Sequence, residues 1–173
     1  MIRKVSLSTS AAKTIAAAAL QGYNASYKQE RLGILLGRVS GSTVKVEQAV
    51  VYRGGIRTRT AAQVDSRKIE ARVKALQAKT GLRYLGGFHT HNQIGDTISS
   101  ALSQADKTPL CDNLPAVVEL IACIWTSDGR LRASEFYLQG RLGDCRIRMA
   151  GYACQQKFQR LVISARAASI SMA

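Results

Sequence analysis

The stretch that decides the fold covers residues 83–91 and reads Arg83-Tyr84-Leu85-Gly86-Gly87-Phe88-His89-Thr90-His91. This pattern is typical of a short strand that runs into a loop. Both histidines of the 173-residue chain lie in it, one residue apart. Alternate residues of a strand face the same side, about 6.6 Å apart. His89 and His91 can therefore share one metal ion, because zinc binds imidazole nitrogens at about 2.0–2.1 Å.

A candidate third ligand follows at a helical offset. Ser103 and Asp106 are three residues apart, and this spacing puts both side chains on one face of a helix. Two imidazoles, one carboxylate and an open fourth position are what a catalytic zinc site uses. Each part also has a plainer interpretation: a lone histidine packs in a core, and a serine before an acid marks a helix N-terminus. Asp96, in the intervening loop, is an alternative ligand.

A glutamate upstream completes a resemblance to a known family. Glu30 precedes residues 33–37, Gly-Ile-Leu-Leu-Gly, and the His89-Thr90-His91 and Ser103-Gln104-Ala105-Asp106 motifs follow in order. Over roughly residues 3–140 the chain resembles the JAMM (MPN-plus) zinc metalloproteases. The resemblance implies Zn²⁺ bound by His89, His91 and Asp106, with Glu30 as the acid–base group and Ser103 as the oxyanion donor. It implies a protease or isopeptidase that cuts near the C-terminus of a ubiquitin-like protein or its conjugates, as a deubiquitinase does.

The loop beside the predicted site departs from the family pattern. Eleven residues, Asn92 to Leu102, separate His91 from Ser103, where the family usually has seven. A serine does stand at the usual distance, Ser99, but Leu102 then takes the place of the aspartate. We therefore favour Ser103 and Asp106, with a longer loop that borders the substrate channel.

The remaining chain alternates helix and strand patterns. Toward the N-terminus we predict a helix from Ser8 or Ser10 to about Gln21, strands 31–39 and 43–52 as a hairpin, and a helix over Ser66–Thr80 ended by Gly81. After a metal-binding helix over about 100–110, we predict strands 116–126 and 131–138 joined at Asp128-Gly129, a strand over 145–149 and a helix over 155–168.

These elements predict an α/β (α+β) fold: a single mixed β-sheet with flanking helices, of MPN/JAMM-like and hence cytidine-deaminase-like architecture. One domain would span residues 1–173, with 141–173 as a C-terminal strand–helix extension. The chain is long enough to bury a core, and its 46% hydrophobic content with two prolines excludes a disordered chain. A cytidine-deaminase activity is excluded because the H-x-E and P-C-x-x-C signatures are absent.

The formal net charge of +14 is not required by a zinc hydrolase. It favours an acidic protein partner, or nucleic acid bound through phosphate contacts. We rank nucleic acid lower because few aromatic residues are interleaved with the basic ones for base stacking. A solvated basic face is the plainer interpretation, and a catalytically silent MPN scaffold or a basic binding module is the alternative to an enzyme.

The predicted location is the cytoplasm. No run of 18–20 apolar residues suits a membrane span, and Lys13 interrupts the alanine-rich stretch that resembles a signal peptide. The four cysteines form no C-x-x-C pair, so a structural zinc site of usual spacing is not expected. We expect thiols in the cytoplasm, with a Cys145–Cys154 bridge as the alternative.

Overall fold

The computed structural model describes residues 1–54, 56–57, 62–63, 66–93, 99–103, 107, 116–126, 134–154, 158–165 and 170–172. Within these ranges the chain forms two helices and eleven strands. In chain order they are β1 (Lys4–Leu7), α1 (Thr9–Tyr23), β2 (Leu32–Ser40), β3 (Thr43–Tyr52), β4 (Ile56–Arg57), β5 (Ala62–Gln63), α2 (Ser66–Thr80), β6 (Arg83–Asn92), β7 (Val118–Trp125), β8 (Leu138–Leu142), β9 (Cys145–Cys154), β10 (Phe158–Ala165) and β11 (Ile170–Met172).

Seven strands close into a barrel in the order β10-β1-β3-β2-β6-β7-β9, and β9 pairs with β10 to complete the ring. The barrel closes because two different parts of the same β9 edge pair with two different strands. Its residues Cys145–Met149 pair with β8, and Gly151–Cys154 pair with β10. The predicted α/β fold, a single mixed sheet with flanking helices, is therefore wrong: most of the described residues are in strands, seven of which form a closed barrel, with two helices.

The helix predicted over residues 155–168 is also wrong, since β10 occupies Phe158–Ala165. This strand pairs in parallel with β1 and antiparallel with β9. Leu161 and Ile163 alternate into the core. Apolar residues at a helical spacing could equally form a helix, but here two strand edges supply the hydrogen-bonding partners for the backbone. Strands β9 and β10 are consequently part of the barrel wall.

The hairpin predicted between strands 116–126 and 131–138 is not the pairing that the described residues form. Strand β7 pairs in parallel with β6 and antiparallel with β9. Leu138 instead begins β8 and pairs with Met149. The predicted turn residues Asp128 and Gly129 lie outside the described residues.

The predicted elements with strong local signals are confirmed. Ser8 caps α1, and its Oγ accepts a hydrogen bond from the Ala11 backbone N–H at 3.0 Å. Strands β2 and β3 form the predicted hairpin. Helix α2 covers Ser66–Thr80, and Gly81 follows with φ +67°, the left-handed conformation that suits glycine after a helix.

The two faces of the sheet differ in what covers them. One face, here called the inner face, carries Phe88, Leu120 and Ala122 and packs with α1 in the main hydrophobic core. Residues at alternate positions point to the opposite, outer face. His89, His91, Glu119 and Ile121 therefore belong to the outer face. Because β6 and β7 are central in the sheet order, this part of the outer face has neighbouring strands on both sides.

The cysteines differ in their state. Cys123 and Cys145 are free thiols, whereas Cys154 is disulfide-bonded, so the expectation of thiols is wrong at Cys154 and no Cys145–Cys154 bridge forms. Burial raises the pKa of the Cys123 thiol to about 12, although nearby Arg148 lowers it, so this thiol stays protonated at neutral pH.

Among the described residues, neither helix is both long enough and apolar enough to span a membrane.

Candidate metal centre

The two histidine side chains converge on the outer face of the barrel. His89 Nε2 and His91 Nε2 lie 3.1 Å apart, and their ring centroids are 4.9 Å apart with the planes tilted by 54°. Strand β6 produces this arrangement, because residues two apart on a strand point to the same side. The neighbouring Thr90 side chain is fully buried on the opposite side.

Each histidine is anchored through its other ring nitrogen. His89 Nδ1 is 2.9 Å from Glu119 Oε1, and His91 Nδ1 is 2.9 Å from the Ser99 carbonyl oxygen. A backbone carbonyl only accepts hydrogen bonds, so His91 carries its proton on Nδ1. Glu119 Oε1 is the corresponding acceptor for the Nδ1–H of His89. In the neutral form of each ring, the Nε2 lone pair then points toward the other histidine.

Two facing lone pairs 3.1 Å apart repel unless a proton or a cation lies between them. Metal-binding histidines typically donate their second N–H to a carboxylate or a backbone carbonyl, which fixes the tautomer and the ring orientation. His89 and His91 show one anchor of each kind. A shared proton or a bound cation would each relieve the repulsion, and the anchoring of both rings is of the kind that metal ligands show.

Glu119 has room for its carboxylate because residue 87 is glycine. A Cβ atom at Gly87 would lie 2.8 Å from Glu119 Oε2. Register places Glu119 beside Gly87 on the adjacent strand, two pairs before His89 and Ile121. Tyr84 is a further neighbour: burial, and then the Glu119 charge, raise the pKa of Tyr84 to about 12. The phenol therefore keeps its proton at neutral pH.

Glu30 is brought to the same part of the sheet by the β2–β6 pairing. Leu32 is in register with His89, and the Thr90 N–H donates to the Arg31 carbonyl at 2.9 Å, which extends the ladder beyond β2. The Arg31 N–H donates in turn to Thr90 Oγ1 at 2.8 Å. Glu30 directly precedes Arg31 and therefore lies at the end of the strand pair that carries His91. The Glu30 side chain is buried, with 9% exposed, so it is not the solvated charge that its polar sequence context suggests.

Residues Ser99–Ser103 lie against the outer face and form no helix. Besides the contact of Ser99 with His91, Tyr152 Oη donates to the Ser100 carbonyl at 2.6 Å. Leu102 is buried in a cluster with Ile121, Ala150 and Tyr152. If Ser99 were the motif serine, Leu102 would stand at the aspartate position, and Leu102 is an apolar residue that packs in the core.

The remaining predicted site residues are only partly placed. Ser103 is exposed, and its carbonyl accepts a hydrogen bond from Lys107 N–H at 3.2 Å, the i→i+4 pattern of a helical turn. Asp106 and the alternative ligand Asp96 lie outside the described residues. Within the described ranges, no group of three or more His, Cys, Asp or Glu residues is arranged to bind a metal ion. The described residues bring the two histidines together, and the hydrogen bonds between Arg31 and Thr90 bring the neighbouring Glu30 to the same end of β6.

Glu119 is a site residue that the sequence motifs did not predict. It is the one charged residue in the apolar stretch 116–125, and a carboxylate in a buried strand normally has a partner. That partner is a histidine 30 residues earlier in the chain. A single acidic residue in an apolar strand indicates a buried interaction, but the sequence does not identify the residue that interacts with it.

Fold and site together define a closed β-barrel that carries an anchored histidine pair on its outer face. No protein-family model matches the chain, and no curated protein matches it. Among solved structures, it resembles the solution structure of protein DSY2949 from Desulfitobacterium hafniense, with 20% sequence identity and a TM-score of 0.58. The match covers 96% of this chain and 95% of that one. At this identity the likeness supports the fold alone.

Proposed function

We propose that the protein is a zinc-dependent metallopeptidase or isopeptidase. The observation that carries the proposal is the pair of anchored histidines whose Nε2 atoms converge to 3.1 Å. Two nitrogens that share one zinc ion at about 2.0–2.1 Å each lie roughly 3–3.5 Å apart in tetrahedral coordination. The observed separation fits that requirement, and His89 and His91 are the residues that would bind the ion.

Zinc, when bound, supplies a Lewis acid that lowers the pKa of water toward about 7. Glu30 would accept a proton from the attacking water and then deliver it to the leaving amine. Its burial and its position next to Arg31, which bonds to Thr90 between the two histidines, support this role. The Ser103 hydroxyl would donate a hydrogen bond to the carbonyl oxygen as negative charge develops there. Asp106 is the proposed third ligand.

The proposed substrate is an amide or isopeptide bond near the C-terminus of a ubiquitin-like modifier. This assignment rests on the resemblance of the glutamate, His-x-His and Ser-x-x-Asp motifs to JAMM proteases. The cytoplasm is the proposed location. The disulfide at Cys154 is the feature of the described chain that runs against it, since disulfides are rare in cytosolic proteins.

Zinc content tests the proposal directly. We expect about one zinc ion per chain in wild-type protein purified without added metal or a histidine tag, and none in a His89→Ala/His91→Ala variant, because both described nitrogen ligands are then removed. Elemental analysis gives the stoichiometry, and circular dichroism verifies that the variant is folded. A wild-type protein without zinc, even after reconstitution, would refute the proposal in favour of a catalytically silent scaffold.

Removal of the Glu119 charge is a second prediction about the same site. Glu119→Gln should weaken zinc binding by about 10–100-fold, because an uncharged acceptor orients His89 less firmly and makes it a less basic ligand. Competition with a zinc chelator measures the affinity. Glu70→Gln, an exposed position on α2, is the matched control and should bind zinc like the wild type. Equal affinity in both variants would show that Glu119 does not support the site.

A further inference from the structure

A cluster of aromatic and arginine side chains lies on the same outer face as the histidines. Register places Cys123 beside His91, and Arg148 beside Cys123. Because neighbouring strands are about 4.8 Å apart, the backbones of His91 and Arg148 are about 10 Å apart. We call this set the arginine–tyrosine cluster; it consists of Tyr137, Arg148, Tyr152 and Arg160.

Arg160 is held in place by both tyrosines. Its Nη1 donates to Tyr137 Oη at 2.6 Å, and its Nη2 donates to Tyr152 Oη at 3.1 Å. Tyr152 in turn donates to the carbonyl of Ser100 at 2.6 Å, so the segment that anchors His91 also anchors this cluster. A guanidinium restrained in this way loses less conformational freedom when it binds a ligand.

The cluster concentrates positive charge. Arg148 Cζ is 4.6 Å and Arg160 Cζ is 5.1 Å from the centroid of the Tyr137 ring. The two charges are therefore within about 10 Å of each other, which is the screening length at about 0.1 M salt. Neither arginine forms an ion pair with a carboxylate in the described part of the chain, and the buried Arg148 Nε has no hydrogen-bond partner there. A bound carboxylate would offset the repulsion between the two guanidinium groups.

The aromatic rings favour a carboxylate over a nucleic-acid base. Base stacking requires an accessible ring face. Trp125 and Tyr152 are each only 3% exposed, and guanidinium groups lie over Trp125, Tyr137 and Tyr152. Arg160 is exposed, whereas the Trp125 and Tyr152 rings are buried. The net charge of +14 adds attraction for an acidic protein.

We propose that the arginine–tyrosine cluster binds an acidic side chain of the protein substrate, about three residues from the bond that is cut. The backbones of His91 and Arg148 are about 10 Å apart, a distance that an extended peptide covers in about three residues at about 3.3 Å each. The inference deepens the proposed function and rests on it, since it places the acidic residue relative to the histidine pair.

A peptide-binding experiment tests the cluster without requiring catalysis. The probe is the capped peptide acetyl-Gly-Gly-Glu-Glu-Gly-Gly-amide, with the Gln-Gln peptide as its neutral counterpart. Trp125, the single tryptophan of the chain, reports binding by its fluorescence because Arg148 Cζ lies 5.7 Å from its ring. We expect saturable binding of the acidic peptide, weakened about ten- to a hundredfold by Arg148→Gln or Arg160→Gln, as for charged hydrogen bonds.

Arg83→Gln is the matched control, because Arg83 is exposed at the far end of β6 and the charge change is identical. It should bind the acidic peptide like the wild type. Isothermal titration calorimetry repeats the measurement without the fluorophore, and circular dichroism verifies the fold of each variant. Because Arg160 is exposed, its substitution should disturb the fold less than substitution of Arg148. Equal binding by the cluster variants, or equal binding of the Gln-Gln peptide, would overturn the inference.

Two outcomes separate this inference from the proposed function. Zinc in the wild type without arginine-dependent peptide binding refutes the acidic subsite alone. Arginine-dependent peptide binding without zinc refutes the peptidase and leaves an acidic-peptide docking surface. A poly-dT oligonucleotide provides the remaining comparison: arginine-dependent binding of the oligonucleotide, with none of the acidic peptide, would identify a nucleic-acid surface and overturn the inference.

Discussion

Glu30→Gln is expected to reduce turnover by about 10²–10⁴-fold while zinc content and thermal stability stay close to wild type. The glutamine side chain has nearly the same shape as glutamate, so the buried position can accommodate it. It cannot accept a proton from water at neutral pH, however. The loss should therefore appear in kcat, with the zinc stoichiometry unchanged, because Glu30 is not one of the proposed zinc ligands.

The measurement uses a panel of ubiquitin-like proteins with C-terminal peptide fusions, from which the one that the wild type cuts fastest is chosen. Glu70→Gln provides the control, since it makes the same chemical change at an exposed position of α2. Full activity in Glu30→Gln would rule out this residue as the acid–base group. Loss of activity together with loss of zinc would show that Glu30 acts on metal binding or folding instead.

Gly86→Ala is expected to destabilise the protein by about 3–5 kcal/mol. Gly86 has φ +142°, a backbone conformation that residues other than glycine rarely adopt. A Cβ atom there would lie 1.8 Å from the Val118 carbonyl oxygen. The obstacle is backbone of β7, which cannot move without breaking the β6–β7 pairing. The register of β2 against β6 also shifts at this point, between Leu35 and Leu36. A substitution here would thus disturb the strand that holds both histidines.

Urea unfolding at equilibrium measures the change, with the slope of the transition checked for two-state behaviour. Gly143→Ala is the matched control. Gly143 also has a positive φ, +59°, but a Cβ atom there meets nothing within 4 Å, so only the backbone conformation contributes, at about 1 kcal/mol. If the two variants lost the same free energy of unfolding, the close approach of Gly86 to β7 would not contribute to the destabilisation.

The sequence predicted those elements whose signals lie within a few consecutive residues. Ser8 caps α1 and Gly81 ends α2 because capping depends on hydrogen bonds between close neighbours. Strands β2 and β3 alternate around a short turn. The histidine spacing likewise required only the geometry of one strand, and the structure brings the two Nε2 atoms together. Whether they bind zinc stays a prediction.

The closed barrel was not predictable from such local signals. Residues 158–165 carry apolar side chains at positions compatible with a helix, and their strand conformation depends on β1, which lies more than 150 residues earlier in the chain. Strand β9 also had to be long enough to pair with β8 and β10 along one edge. Strand pairing of this kind is decided by which edges meet in three dimensions, because a backbone without a partner loses its hydrogen bonds.

The sequence by itself determined the chemistry available to this protein: one histidine pair at strand spacing, a glutamate before an apolar strand, and a strongly basic charge balance. The tertiary structure alone decided how these groups meet. It brings Glu119 within hydrogen-bonding distance of His89 and the Ser99 carbonyl within hydrogen-bonding distance of His91, and it puts Arg148 two strands away from the histidine pair. The physical reason is that side-chain identity is local, whereas tautomer, burial and charge environment depend on contacts between distant segments.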